Sequence, residues 1–284
     1  MFNYLEPTYI KNFIQNALTE DVGDGDHTSL STVPHDAIGR ARLLVKDKGI
    51  LAGVELAKMI FAEVDPELQV TTILEDGTAI DRGQIVLTVE GRSQSILKAE
   101  RLVLNCMQRM SGIATYTRSM VNLIEGTNTK LLDTRKTTPN FRLCEKWACK
   151  IGGAVNHRYA LFDMILIKDN HVDYAGGIAN AIRQANEYLV QTGKNLQIEI
   201  EVRNLDELQQ VLAMGQVNRI MLDNFSFENL REAVRLIDGK YLTEASGGIN
   251  ETTIRQYAEC GVDYISSGAL THQIKSLDLS LKAF

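Results

Sequence analysis

The stretch "RIMLDNFSFENLREAVRLIDGKYLTEAS", Arg219–Ser246, holds an apolar run (219–223), a helical stretch (226–237) and a second apolar run (241–246). Strand, helix, strand in so short a span is the unit that builds a parallel sheet. The same alternation extends in both directions. Strand candidates stand at 130–134 (KLLDT), 164–168 (MILIK), 198–202 (IEIEV) and 263–267 (DYISS), with helices over 173–191, 205–213 and 250–260. Uniform repetition of this kind gives either a doubly wound sheet or a barrel. No G-x-G-x-x-G follows the first strand, so a dinucleotide-binding sheet lacks its fingerprint, and the nearly equal repeats favour the barrel.

The first hundred residues read differently. Tyr9, Ile10, Phe13, Ile14, Ala17 and Leu18 share one face of a helix over 7–19. "EDVGDGDHTS" (20–29) shows no apolar period and reads as a loop. Alternating Ala41, Leu43 and Val45 predict a half-buried strand over 41–49, followed by a helix over 53–64 and strands in ELQVTTIL and QIVLTVEG. That mixed order is α+β rather than parallel. Helices over 93–111 and 113–125, divided near "MSGIA", lead to the barrel. The final "LDLSLKAF" alternates as a strand and is placed to return to the N-terminal domain.

Composition excludes several classes. A net charge of −6 is wrong for general nucleic-acid binding, which favours a basic surface. No run reaches the roughly 20 apolar residues of a membrane span, and the N-terminus has no signal-peptide pattern. Cys106, Cys144, Cys149 and Cys260 fit no zinc spacing and read as reduced, buried thiols of a cytoplasmic protein.

Against that acidic background the strand ends are chemically unusual. KLLDT runs into Arg135-Lys136, and MILIK ends at Lys168. IEIEV carries Glu199 and Glu201, and RIMLD ends at Asp223. YLTEAS ends in Ser246-Gly247-Gly248, and DYISS in Gly268. In a βα barrel all of these face the C-terminal mouth, where such folds build their sites. Taken singly, each has a bland reading as a solvated loop residue, a cap or a turn. The glycine-rich ends after the last strands suit a phosphate. Glu201 and Asp223 suit a divalent cation or sugar hydroxyls. Arg135, Lys136, Arg158 and Lys168, with His157 beside Arg158, are more cation than one phosphate needs, which points to a second anion such as a carboxylate.

Together, "ERLVLNCMQRMSGIAT", "DTRKTTPNFR", "KIGGAVNHRYALFDMILIKDNH", "IEIEV", "IMLDNF", "EASGGI" and "GVDYISSGALTH" resemble the quinolinate phosphoribosyltransferase family over essentially the whole chain. The resemblance implies an α/β fold: an N-terminal α/β sandwich (1–112, joined by a C-terminal strand at 273–284) and an incomplete α/β barrel (113–272) of the type II phosphoribosyltransferase kind. It implies transfer of phosphoribose from phosphoribosyl pyrophosphate (PRPP) to quinolinate with Mg²⁺, giving nicotinate mononucleotide, pyrophosphate and CO₂ in NAD biosynthesis. It also implies dimers or hexamers with shared active sites. By motif, Arg101 is the residue that reaches the partner's site. Arg135, His157 and Arg158 resemble the quinolinate-binding set, joined by Lys136 and Lys168, which also serve the phosphates, and the resemblance makes Lys136 catalytic as well. Glu201 and Asp223 are the catalytic and metal carboxylates. Ser246, Gly247, Gly248 and Gly268 form the phosphate loops, with His272 close by. Arg142 begins the next helix or pairs with an acid such as Glu145. Two other readings are a phosphoribosyltransferase for another aromatic acid and a non-catalytic barrel that senses a phosphorylated metabolite.

Overall fold

Asp26 shows how a stretch without apolar period still becomes regular structure. Its carboxylate accepts the Ser29 amide at 3.1 Å and caps a short helix, so "EDVGDGDHTS" is not one loop. The structure, a computed structural model, describes residues 2–284. These form two compact units, one of Asn3–Arg118, Lys136–Gly153 and Leu270–Phe284, the other of Phe2, Ser119–Arg135 and Ala154–Ala269.

The first unit opens with α1 (Pro7–Val22), which has proline in its first turn and Ile10 and Ile14 buried one turn apart. Next come α2 (His27–Thr32), β1 (Ile38–Val45), β2 (Gly49–Ile50), α3 (Val54–Val64), β3 (Gln69–Thr72), β4 (Ala79–Ile80) and β5 (Ile85–Arg92). Asp76 caps α3 by accepting the Val54 amide at 2.8 Å, and the helix then buries Leu56, Ala57, Ile60 and Phe61. β1 buries Ala41, Leu43 and Val45, as alternation requires. The final strand, Leu279–Ala283, pairs antiparallel with β1, and β5 and β3 complete a four-stranded sheet.

α4 (Ser93–Leu123) is one helix, not two. Gly112 does not break it. A Cβ there would collide with the Lys275 carbonyl, so the glycine serves a close approach at a cost of about 1 kcal/mol in propensity. α5 (Arg142–Gly152) does begin at Arg142, whose guanidinium donates to Thr137 at 2.9 Å. Glu145, fully buried in α5, accepts from Arg109 at 3.1 Å and from the Thr138 amide at 3.0 Å.

The second unit is built on β6 (Lys130–Leu132), β7 (Ile165–Ile167), β8 (Ile198–Val202), β9 (Arg219–Asp223), β10 (Leu242–Ser246) and β11 (Tyr264–Ser266). All neighbours are parallel, in the order β6-β11-β10-β9-β8-β7. From β7 to β11 successive strands are adjacent, and the last, β11, lies beside the first, β6. That is the wrap of a barrel with its seam between β6 and β7, an incomplete barrel. A bridge from Leu132 to Val155 lies at the β6 side of the seam. The helices of this unit are α6 (Asp169–Ala175), α7 (Ile178–Thr192), α8 (Leu205–Met214), α9 (Phe227–Ile237) and α10 (Ile254–Ala258); α11 (Ala269–His272), past its first residue, and the returning strand β12 (Leu279–Ala283) belong to the first unit. The single helix expected over 173–191 is two, because Gly176 (φ 80°) and Gly177 (φ 117°) take backbone that continues no helix. The regular helix expected over 250–260 is shorter because Asn250 turns the chain, accepting the Thr252 amide at 3.0 Å.

Candidate active site

Six parallel strands put their C-terminal ends at one edge of the second unit, and the expected residues of that unit follow those ends. β6 delivers Asp133, fully buried, and then Arg135. Asp133 Oδ1 accepts the His157 amide at 2.8 Å, and Oδ2 accepts Asn156 Nδ2 at 2.6 Å. Asp133 therefore pins "NHR" against the strand end. Asp133 opens "DTRKTTPNFR" but is not among the expected site residues. An acid followed by a His-Arg pair far along the chain is a signal visible only once the seam is known.

Arg158 is buried, and its Nη1 donates to the Met164 carbonyl at 3.1 Å. Burial holds its pKa below the ordinary arginine value, and the positive charge of Arg135 lowers it further. The carboxylates of Glu199 and Asp163 act in the opposite direction on Arg158. The turn after Arg158 is fixed by Asp163, whose carboxylate accepts the amides of Tyr159 and Ala160 at 2.7 and 2.8 Å.

Lys168, following β7, brings its ammonium 2.7 Å from Glu201 Oε2 on β8. Asp223 ends β9 opposite Ser246 of β10 and accepts Asn224 Nδ2 at 2.6 Å. Asn224 adopts φ 56° and donates its amide to the Ser246 carbonyl at 2.9 Å. Gly247 has φ 101°, and a Cβ there would overlap the Asn224 side chain. Only glycine lets these two loops close on each other. Gly248 (φ 60°) continues the turn, exposed, and Gly268 follows β11, half-buried.

His157 faces inward. Its Nε2 lies 3.1 Å from Glu199 Oε2 and 3.3 Å from Glu244 Oε2, and its Nδ1 accepts the Arg158 amide at 2.7 Å. That amide requires a lone pair on Nδ1, so the ring proton sits on Nε2. Burial pulls the His157 pKa down, but Glu199 and then Glu244 outweigh it and raise it. Burial and the neighbouring Glu244 push Glu199 up to about 7. Burial would raise Glu244 as well, but His157, Ser266 and Arg219 hold it low. Glu244 and Arg219 were not among the expected site residues, because nothing local marks a strand-interior charge as part of a buried cluster.

The remaining expected residues belong to the first unit. Arg101 is exposed on α4, and His272 is exposed at the end of α11. Lys136 is exposed, and its carbonyl accepts Thr271 Oγ1 at 2.7 Å.

An incomplete barrel whose mouth gathers cations, two carboxylates and glycine-rich turns has the makings of a site for an enzyme acting on anionic substrates. Comparisons define the family. Residues 26–111 match the N-terminal domain of quinolinate phosphoribosyl transferase, and residues 113–282 match its C-terminal domain. Quinolinate phosphoribosyltransferase (decarboxylating) 1b of Nicotiana tabacum is 46% identical, covering 97% of this chain and 83% of its own. A probable nicotinate-nucleotide pyrophosphorylase (carboxylating) of Bacillus subtilis is 38% identical, covering 96% and 92%. The crystal structure of NadC from Streptococcus pyogenes superposes with a TM-score of 0.91 at 38% identity, covering 99% and 98%. The chain belongs to the quinolinate phosphoribosyltransferase family.

Proposed function

We infer that this chain is a decarboxylating quinolinate phosphoribosyltransferase of NAD biosynthesis, a pentosyltransferase. The observation that carries this reading is the buried Arg158 beside Arg135 in a chain of net charge −6. A pyridine dicarboxylate offers two anionic groups to two guanidinium groups, and a cleft focuses the local positive potential. Arg135 and Arg158 hold the ring carboxylates, and Lys168, paired with Glu201, stands between acid and ribose. The turns at Ser246–Gly248 and Gly268 offer backbone N–H groups to phosphate oxygens. Lys136 and His272 serve the phosphates, and His157 belongs to the quinolinate set.

The ring nitrogen attacks the anomeric carbon as its bond to pyrophosphate breaks. Glu201 and Asp223 stabilise the positive charge that develops on the ribose. The ring nitrogen becomes cationic, so when the 2-carboxylate leaves as CO₂ its bonding pair stays on the ring carbon beside that charge, and a proton then takes its place. Glu201 and Asp223, hard oxygen donors at the ends of adjacent strands with Asp223 half-buried, fit a Mg²⁺ that keeps waters and substrate phosphates. When bound, the ion makes pyrophosphate a better leaving group.

The shared site is part of the reading: Arg101 reaches the partner's mouth in a dimer or a hexamer. A cytoplasmic location accords with four cysteines that form no disulfide. No helix of the described residues is long and apolar enough to cross a membrane. Purified protein given PRPP, Mg²⁺ and either quinolinate or nicotinate tests the reading. Turnover of quinolinate is expected, and turnover of nicotinate with silence toward quinolinate would overturn it.

A further inference from the structure

Beneath the mouth lies a charged cluster to which the reaction assigns no part. Glu199 precedes Glu201 by two residues on β8, so it faces the same side one step deeper. Glu244 lies on the third residue of β10, and Arg219 opens β9. Arg219 Nη1 lies 3.0 Å from Glu244 Oε2 and 3.9 Å from Glu199 Oε2, and its guanidinium stacks 4.4 Å over the Tyr264 ring. Both glutamates are fully buried. Glu199 Oε2 faces His157 Nε2 at 3.1 Å and Arg219 Nη1 at 3.9 Å, so the imidazole N–H and Arg219 compensate its charge.

The His157, Glu199 and Glu244 donor atoms are close enough to one another to ligate a metal ion. Charge argues against that use. Arg219 already sits on the carboxylates, and a dication added to it beside two anions would leave the buried cluster with excess positive charge. With its ring proton on Nε2, His157 also presents no lone pair there to a metal.

We propose that Glu199, Glu244 and Arg219 are positioning residues, a buried clamp that fixes the His157 imidazole and, through it, sets Arg158 against the ring carboxylate of the substrate. The link is one short hydrogen bond between neighbouring residues. Nδ1 accepts the Arg158 amide at 2.7 Å, so a fixed ring fixes the backbone from which the guanidinium extends. Asp133 holds the same dipeptide from the other side by accepting the His157 amide at 2.8 Å. With both ring nitrogens engaged inside the unit, His157 acts through Arg158. A guanidinium displaced by about 1 Å loses much of a bidentate contact. The inference rests on the quinolinate reading of the mouth.

Steady-state kinetics with each substrate varied, on wild type, Glu199→Ala and Glu199→Gln, make the test. Glu199→Ala should raise KM for quinolinate about tenfold or more and leave KM for PRPP within about twofold. Glu199→Gln still accepts from Nε2–H and should recover most of the loss. Equal rises in both KM values, or no change in either, would overturn the clamp. Should Glu199→Ala not fold, Arg219→Met takes its place with the same expected split. Imidazole ¹⁵N spectra add a readout free of turnover: a slowly exchanging Nε2–H is expected in wild type and lost in the alanine variant, and a fast-exchanging wild-type signal contradicts the proposal. One zinc per purified chain, absent from Glu199→Gln, would also overturn it, making the cluster a metal site. Wild type inert toward quinolinate would sink the functional reading instead, while the ¹⁵N result would still decide the clamp.

Discussion

The Lys168 ammonium lies 2.7 Å from Glu201 Oε2, a half-exposed cation on a buried anion at the ends of adjacent strands. An exposed lysine contributes little to stability, about 0–1 kcal/mol in such a pair. Its value lies in orienting Glu201 and in meeting anionic substrate. Lys168→Met should therefore lower kcat/KM by about a hundredfold or more while leaving the urea midpoint nearly unchanged. A large loss of stability with activity preserved would make the pair structural.

Asp133 is the opposite case. It is fully buried and accepts the His157 amide and the Asn156 side chain. Asp133→Ala leaves both donors without that acceptor, so unfolding free energy should fall by about 2–4 kcal/mol, read by urea denaturation. Activity should fall with it, because the same bonds fix the segment that carries Arg158. An unchanged denaturation curve would contradict the assigned geometry.

Acid stability turns on Asp65 in the first unit. Its carboxylate accepts from Arg92 Nε and Nη2 at 2.8 Å each, and from Ser95 at 2.7 Å. The Arg92 hydrogen bond, then Ser95 and the Glu67 amide, outweigh burial and hold its pKa well below the ordinary carboxylate range. The folded pKa lies below the unfolded one, so the stabilisation is complete above the unfolded value, about pH 4, and drains away as pH falls below it. Asp65→Asn should destabilise the chain at pH 7 and flatten its stability between about pH 4 and 2. The same acid slope in variant and wild type would remove Asp65 from this account.

The shared site makes a complementation prediction. Arg101→Ala and Lys136→Ala homodimers should both be nearly inactive. Random mixing makes half the dimers hybrid, each with one intact site, so about a quarter of wild-type activity should return. Complete silence of the mixture would place Arg101 within its own chain's site or outside any.

Much of the barrel was legible because a buried parallel strand is a short apolar run, and each run here ends in a polar residue where its strand stops. Errors came where glycine has two meanings. Gly112 looked like a break and is a close contact inside a continuous helix. Gly176 and Gly177 were absorbed into a helix that they in fact divide. Charged residues at strand ends stood out in an acidic chain, so Arg135, Lys168, Glu201 and Asp223 could be named as candidates. Glu244 and Arg219 could not, because they sit mid-strand or at a strand's start and meet His157 only when β8, β9 and β10 lie side by side.

The central claim is coupled phosphoribosyl transfer and decarboxylation at the barrel mouth. Quinolinate labelled with ¹³C in its 2-carboxylate, incubated with PRPP, Mg²⁺ and purified protein, tests it in one measurement. The account predicts one labelled CO₂ for each pyrophosphate released, with nicotinate mononucleotide as the product. Pyrophosphate release with the label retained on the nucleotide, or no release of either, would contradict it.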